Sequence, residues 1–183
     1  MLKTKIKLTY ADYVALPDEK RYELIEGDLY MVPAPGFYHQ VVSRNIEMAL
    51  WDFVKSHRLG VVLDAPVDVV LTQEDVVQPD ILFISNERRS IITEKYLSGA
   101  PDLIIEILSP SSMERDKLVK RNLYAEHGVS EYWIVNPVGK QIEVLLLKSH
   151  AFVLYGIFLI DDRLTSPLLP GFELSLESVF EPA

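Results

Sequence analysis

The run PDLIIEILSPSS, from Pro101 to Ser112, carries one carboxylate, Glu106, among Ile104, Ile105, Ile107 and Leu108. Apolar residues on both sides mark a strand covered on both faces. An isolated carboxylate there is costly unless it has a cationic partner, a metal ion or a shifted pKa. A second acid, Asp80, opens the run PDILFI directly after Pro79, and Asp116 and Lys120 follow Glu106 at a spacing of one helical turn. Carboxylates at the ends of adjacent strands suit Mg²⁺, which takes oxygen ligands, keeps several waters and needs one or two carboxylates. Such a metal polarises a phosphoryl group while a neighbouring lysine orients the attacking water, a combination that points to phosphodiester hydrolysis. Taken singly, the same residues have plainer roles. Asp80 reads as a solvated strand-start residue, and Asp116 with Lys120 as an i, i+4 helix pair of about 0.2–0.5 kcal/mol. Glu106 is the hardest to explain that way, and Asp102, at the start of its strand, is expected to be wet.

Other chemistries fall away. There is no Walker-type glycine loop, Gly-x-Gly-x-x-Gly run, Gly-x-Ser-x-Gly elbow or His-Glu-x-x-His helix, which removes the nucleotide-binding, serine-hydrolase and zincin readings. His39, His57, His127 and His150 have no ligand spacing; His39 alone, just ahead of a long helix, lies near an expected cleft. The absence of cysteine excludes disulfides, thiolate metal sites and cysteine nucleophiles, and a cytoplasmic location is the expectation. A formal charge of -9 argues against gripping nucleic acid over the whole surface, so any DNA contact is expected to be local. The stretch from Arg88 to Arg121 is the least acidic. The opening MLKTKIKLTY has no apolar segment behind it, and no window has the uncharged length of a membrane span, so no membrane partner is expected.

The elements that must position these residues are legible as pattern. Thr9 and Asp12 form a capping-box pair for a short helix that Pro17 stops. RYELIEGDLYMVP alternates around Glu26-Gly27-Asp28 as a hairpin does. HQVVSRNIEMALWDFVKSH places Val42, Ile46, Ala49, Leu50 and Phe53 at helical spacing. VVLDAPVDVVL, PDILFI, PDLIIEIL, EYWIV and IEVLLL read as strands, with MERDKLVKRNLYAEHG as a second helix ended near Gly128. A chain of 183 residues, 49% hydrophobic, is read as one domain spanning 1–183. The expected architecture is α/β, a mixed sheet with two main helices packed on it. The apolar runs IEVLLL and FVLYGIFLI could cover a sheet edge by pairing between chains, as a homodimer.

Taken in order, RYELIEGDLYMVP, HQVV, PDILFIS, GAPDLIIEILSPSS, RDKLVKRNLYAEHGVSEYWIVNP and PGFELSLESVF closely resemble the Uma-type family of putative restriction endonucleases, over nearly the whole chain. That family belongs to the PD-(D/E)XK nuclease superfamily, so the resemblance implies a restriction endonuclease-like fold with a Mg²⁺ or Mn²⁺ site. It implies that Asp80 is the metal-binding aspartate, Glu106 the acid of the E-x-K element and Glu23 an extra acid from the first part of the fold. The residue two after Glu106 is Leu108 instead of lysine, and the resemblance implies that Lys120 takes that role from the neighbouring helix. Asn136 stands where the family more often has aspartate, and it is given no role. The leading expectation is a Mg²⁺-dependent DNA endonuclease with Asp80 and Glu106 as metal ligands, Glu23 as a further ligand or water orienter, and Lys120 as the cationic partner of the attacking water. Its rivals are a catalytically degenerate nuclease fold serving as a binding or regulatory module, and a hydrolase of small phosphodiesters. In the catalytic reading, Lys120→Ala is expected to abolish cleavage and leave the melting temperature nearly unchanged.

Overall fold

The computed structural model describes residues 6–17, 20–110 and 115–181. In chain order its elements are α1 (Tyr10–Val14), β1 (Arg21–Ile25), β2 (Asp28–Val32), α2 (Phe37–His57), β3 (Gly60–Asp64), β4 (Val69–Val70), β5 (Val76–Val77) and β6 (Ile81–Ser85). A 3₁₀ segment (Asn86–Ile91), β7 (Leu97–Ser98) and β8 (Leu103–Ile107) follow. Beyond them come a π-helical segment (Arg115–Lys120), α3 (Arg121–Glu126), β9 (Glu131–Asn136), β10 (Gln141–Lys148), β11 (Ala151–Leu159), β12 (Arg163–Thr165), β13 (Glu173–Ser175) and α4 (Leu176–Phe180).

The architecture is mixed α/β, as expected, but the single sheet of the sequence reading divides in two. Six strands run β11-β10-β9-β8-β6-β3, five run β2-β1-β5-β4-β7, and β12 and β13 form a separate two-stranded ribbon. The division falls inside VVLDAPVDVVL. Proline has no N–H to offer a ladder, and on either side of Pro66 the run enters different sheets, β3 pairing with β6 and β4 with β5 and β7. In the larger sheet β8 and β9 are parallel, with antiparallel neighbours on both sides. The first hairpin turns on Glu26 and Gly27, both at positive φ (51° and 73°), the backbone of a type I′ turn. Asn136 holds the β9–β10 turn, its Oδ1 accepting the Gly139 N–H at 2.9 Å.

Side-chain alternation along β8 distributes the core. Leu103, Ile105 and Ile107 pack on α2 residues Val42, Ile46 and Leu50, together with Leu174 and Phe180 of the C-terminal segment. Ile104 and Leu108 go to the other face, with Leu123 and Tyr124 of α3 and Ile25 and Val77 of the smaller sheet. Burial on both faces explains the unbroken apolar run, and each such side chain contributes about 1.5–3 kcal/mol. By the same period of two, Glu106 must share the α3 face. The helix expected from Met113 is π-helical before it becomes α3, and Met113 and Glu114 lie outside the described residues. Among the described residues, no helix is long and apolar enough to cross a membrane.

Candidate active site

The β6–β8 ladder pairs Ile81 with Ile105 and Leu82 with Ile104. One further step sets Asp80 opposite Glu106, and directly opposed residues of an antiparallel pair share a face. Asp80 is anchored there, its Oδ2 accepting the Ile107 N–H at 2.7 Å. From the first turn of α2, His39 Nε2 comes within 3.3 Å of the same Oδ2 and 3.2 Å of the Ile107 carbonyl oxygen. Both partners can only accept, so Nε2 carries the hydrogen. Burial works to lower the His39 pKa, but the hydrogen bond and charge of Asp80 outweigh it and hold the imidazole above its usual value.

Behind this pair lies a buried ionic cluster. Lys120, 3% exposed, ends the π-helical segment. Its Nζ is 2.7 Å from Glu23 Oε1, 2.9 Å from Glu106 Oε1 and 3.5 Å from Asp116 Oδ1. One turn onward, the fully buried Tyr124 donates from its hydroxyl to Glu106 Oε1 at 2.6 Å. Glu23 Oε1 also accepts the Gln78 N–H at 3.0 Å, which fixes β1 against the strand entry at Asp80. Burial alone would lower the Lys120 pKa, yet Glu106, Glu23 and Asp116 together raise it above its ordinary value. Lysine is therefore an ammonium here, a donor and not a base. Burial pushes the Glu106 carboxyl well up; Lys120 opposes this, and Asp116, Asp80 and Glu23 add to it.

Asp80, His39, Glu23, Glu106, Asp116 and Lys120 line a cleft of about 420 Å³, with Arg21 as a further cationic side chain on its wall. No three His, Asp or Glu side chains among those residues close on one point as a metal site. The oxygen atoms that could meet a cation in this cleft are those of Asp80 and Glu106, with the Ile107 carbonyl beside them. Hard oxygen donors and two carboxylates fit Mg²⁺, which keeps its remaining waters. Glu23 lines the same cleft and shares Lys120 with Glu106.

A family model described as Uma2, putative restriction endonuclease, matches residues 10–177. The chain belongs to the Uma2 family. The Uma2 chain is also similar in structure to a putative nuclease of the DUF820 group from Anabaena variabilis, with a TM-score of 0.79 and 21% identity over 94% of this chain and 97% of that one. At that identity the likeness establishes the fold alone, a mixed α/β architecture of two main sheets with few helices. No match is found among curated proteins.

Of the residues singled out from the Uma2 sequence, the structure gathers Asp80, Glu106, Lys120, Glu23, Asp116 and His39 about one cleft, the expected i, i+4 pair of Asp116 and Lys120 included. Asp102 differs from expectation. It is 7% exposed, its Oδ2 accepts the Ser85 N–H at 2.7 Å, and Arg88 Nε lies 3.2 Å from Oδ1, so it is sealed at the far end of the ladder. Arg88 is consumed there too, and does not serve the cleft. Tyr124 was not picked out, because a tyrosine in an amphipathic helix reads as core. Its signal was the spacing of four from Lys120, which puts both on one helical stripe.

Proposed function

We propose that this protein is a metal-dependent DNA endonuclease, with Asp80 and Glu106 holding Mg²⁺ or Mn²⁺ and Lys120 as the cationic group beside the reacting water. The observation that carries this reading is the Lys120 nitrogen 2.9 Å from Glu106 Oε1, supplied from the helix after β8, where the strand itself has Leu108. When bound, the metal supplies Lewis-acid polarisation of the phosphoryl oxygens and a more acidic water. The chain's own residues do the rest. Asp80 is held by the Ile107 N–H, and Tyr124 and Lys120 both donate to Glu106 Oε1, which orients the carboxyl. Glu23 and Asp116 keep Lys120 charged, so its ammonium orients water and stabilises negative charge building on the phosphate. Arg21 on the cleft wall gives a local phosphate contact on an otherwise acidic molecule, consistent with weak, local DNA binding.

The test is nicking of supercoiled plasmid with Mg²⁺ or Mn²⁺, with Glu106→Ala as control. Metal-dependent cleavage lost in the variant supports the proposal. The absence of cleavage by the parent, together with no metal-induced rise in melting temperature, supports the degenerate binding module instead, a reading favoured by Leu108 in the lysine position and by the charge of -9. Cleavage of small phosphodiesters without DNA cleavage supports the third reading.

A further inference from the structure

We propose that Gln78 is a positioning residue, holding the Arg21 guanidinium open to the cleft so that it takes a phosphate of the DNA backbone. This rests on the endonuclease reading above and adds to it how the substrate is held.

Arg21 and Glu23 stand two residues apart on β1, so their side chains leave the strand on one face, and both line the cleft. The two cations there are not equivalent. Lys120 is 3% exposed and lies among three carboxylates. Arg21 is half-buried, and its Nε donates to a neutral amide oxygen, Gln78 Oε1, at 2.9 Å. A carboxylate in that place would cancel much of the guanidinium's charge, whereas an amide leaves that charge to a ligand. With Nε engaged, the donors of the two Nη atoms remain, a planar pair that matches two phosphate oxygens.

The amide can hold the guanidinium in one way only. Gln78 Nε2 donates to Asp68 Oδ1 at 2.7 Å and to the Tyr13 hydroxyl oxygen at 3.2 Å. Tyr13 in turn donates from its hydroxyl to Asp68 Oδ1 at 2.9 Å. A carboxylate accepts and a guanidinium donates, so Asp68 takes the NH₂ side of the amide and Arg21 takes its oxygen. The reversed amide would set oxygen against carboxylate and N–H against N–H. Gln78 thus stands between Asp68 and Arg21 and keeps the acid off the guanidinium, unlike the direct pairing of Arg88 with Asp102. The Gln78 backbone N–H meanwhile donates to Glu23 Oε1 at 3.0 Å, and Asp80 follows two residues on. One short stretch, Gln78 to Asp80, therefore sets the arginine, an acid that pairs with Lys120 and the aspartate proposed for the metal.

Binding of a short fluorescein-labelled DNA duplex, read by anisotropy in Ca²⁺ across a salt series, tests this without any need for cleavage. The parent is expected to bind at low salt. Arg21→Ala should weaken binding about tenfold and lower the slope of log Kd against log salt by about one. Gln78→Met frees the guanidinium, which must then be ordered on binding, and should weaken it about threefold. Combined with Arg21→Ala it should cost nothing more, because its effect passes through the arginine. Gln78→Glu, equal in shape, should lose both affinity and slope by pairing Arg21 with a charge. A parent that does not bind, an Arg21→Ala variant or either Gln78 variant with parental affinity, or losses at 21 and 78 that add in the double variant would each overturn the proposal. Intact plasmid together with Arg21-dependent binding would fault the nuclease reading and leave the phosphate contact standing.

Discussion

The two ends of the β6–β8 ladder are closed by the same device and finished differently. At each end an aspartate preceding one strand accepts a backbone N–H from the other side of the ladder at 2.7 Å: Asp80 from Ile107, and Asp102 from Ser85. Asp102 is then covered by Arg88, whose guanidinium also donates to the carbonyl oxygens of Ala100, Pro101 and Gly128. Guanidinium is always charged and its donors are spoken for, so that end is complete as structure. Asp80 is met by His39, whose charge is conditional, and it borders a cleft backed by a lysine set among three carboxylates. Closing a ladder requires only the aspartate. Where the remaining oxygens meet a saturated arginine the result is a fastening, and where they meet a cleft they are available to a cation.

The largest effect that could break this comparison lies at the cleft end. Lys120→Ala leaves Glu23, Glu106 and Asp116 buried together without their cation, and removing one member of a buried ionic group is destabilising by about 3–5 kcal/mol. The melting temperature should fall steeply, whereas the catalytic reading of the sequence expects it nearly unchanged, because that reading counts the ammonium's role in the transition state and not its pairing with three buried acids. Glu106→Gln in the same chain should restore part of the loss by removing one uncompensated acid. Denaturant titration of the two single variants and the double measures the coupling; strict additivity would mean that Lys120 and Glu106 do not act on each other.

A pH dependence follows from the same cluster. Burial, reinforced by Asp116, Asp80 and Glu23 against the pull of Lys120, raises the Glu106 carboxyl above its ordinary 4.5. The folded state then holds that proton more tightly than the unfolded chain. Its contribution to stability is fully present below the ordinary carboxylate value and is lost as pH rises through the raised one. Relative to Glu106→Gln, which cannot titrate, the metal-free parent should lose stability from about pH 4.5 upward. Added Mg²⁺ should offset that loss by favouring the ionised form. Parallel stability curves for the two proteins would contradict the raised value.

How much of this was legible depended on whether a side chain's environment was local in sequence. Glu106 announced itself because β8 is buried on both faces, so its apolar run has no alternation in which to hide a charge. The long helix and the first hairpin were plain for similar reasons of period and turn chemistry. Asp102 was misjudged because the residue that covers it, Arg88, arrives from a 3₁₀ segment across the ladder. The second sheet was missed because β4, β5 and β7 are two residues each, too short to show any period. Lys120 is legible as the i, i+4 partner of Asp116, but its burial depends on Glu23, contributed by β1 nearly a hundred positions earlier.

The far end should respond in the opposite manner. Arg88→Ala removes a guanidinium that is 34% exposed in its side chain and leaves Asp102 and three carbonyl groups without that donor. Unsatisfied buried groups of this kind are destabilising by about 1–3 kcal/mol. Metal-induced stabilisation and any plasmid cleavage should persist, because Asp80 and Glu106 are untouched. A variant of normal stability that had lost its response to metal would erase the division of labour between the two ends.

The smallest effect is the most selective. Tyr124→Phe keeps the ring and its edge-on contact with Tyr132, 5.2 Å between centroids, and removes only the hydroxyl that donates to Glu106 Oε1. Loss of one such hydrogen bond should lower stability by about 1 kcal/mol, little beside the Lys120 variant. If the hydroxyl serves the carboxyl's orientation and not merely the core, the rise in melting temperature produced by Mg²⁺ or Mn²⁺ should shrink by more than the variant's own destabilisation explains. A Tyr132→Phe control loses a hydroxyl that donates to the Asp116 carbonyl at 3.0 Å, on the same helix face but with no bond to Glu106. Equal metal responses in the two variants would reduce Tyr124 to packing, whereas a deficit confined to Tyr124→Phe would make it a positioning residue for Glu106.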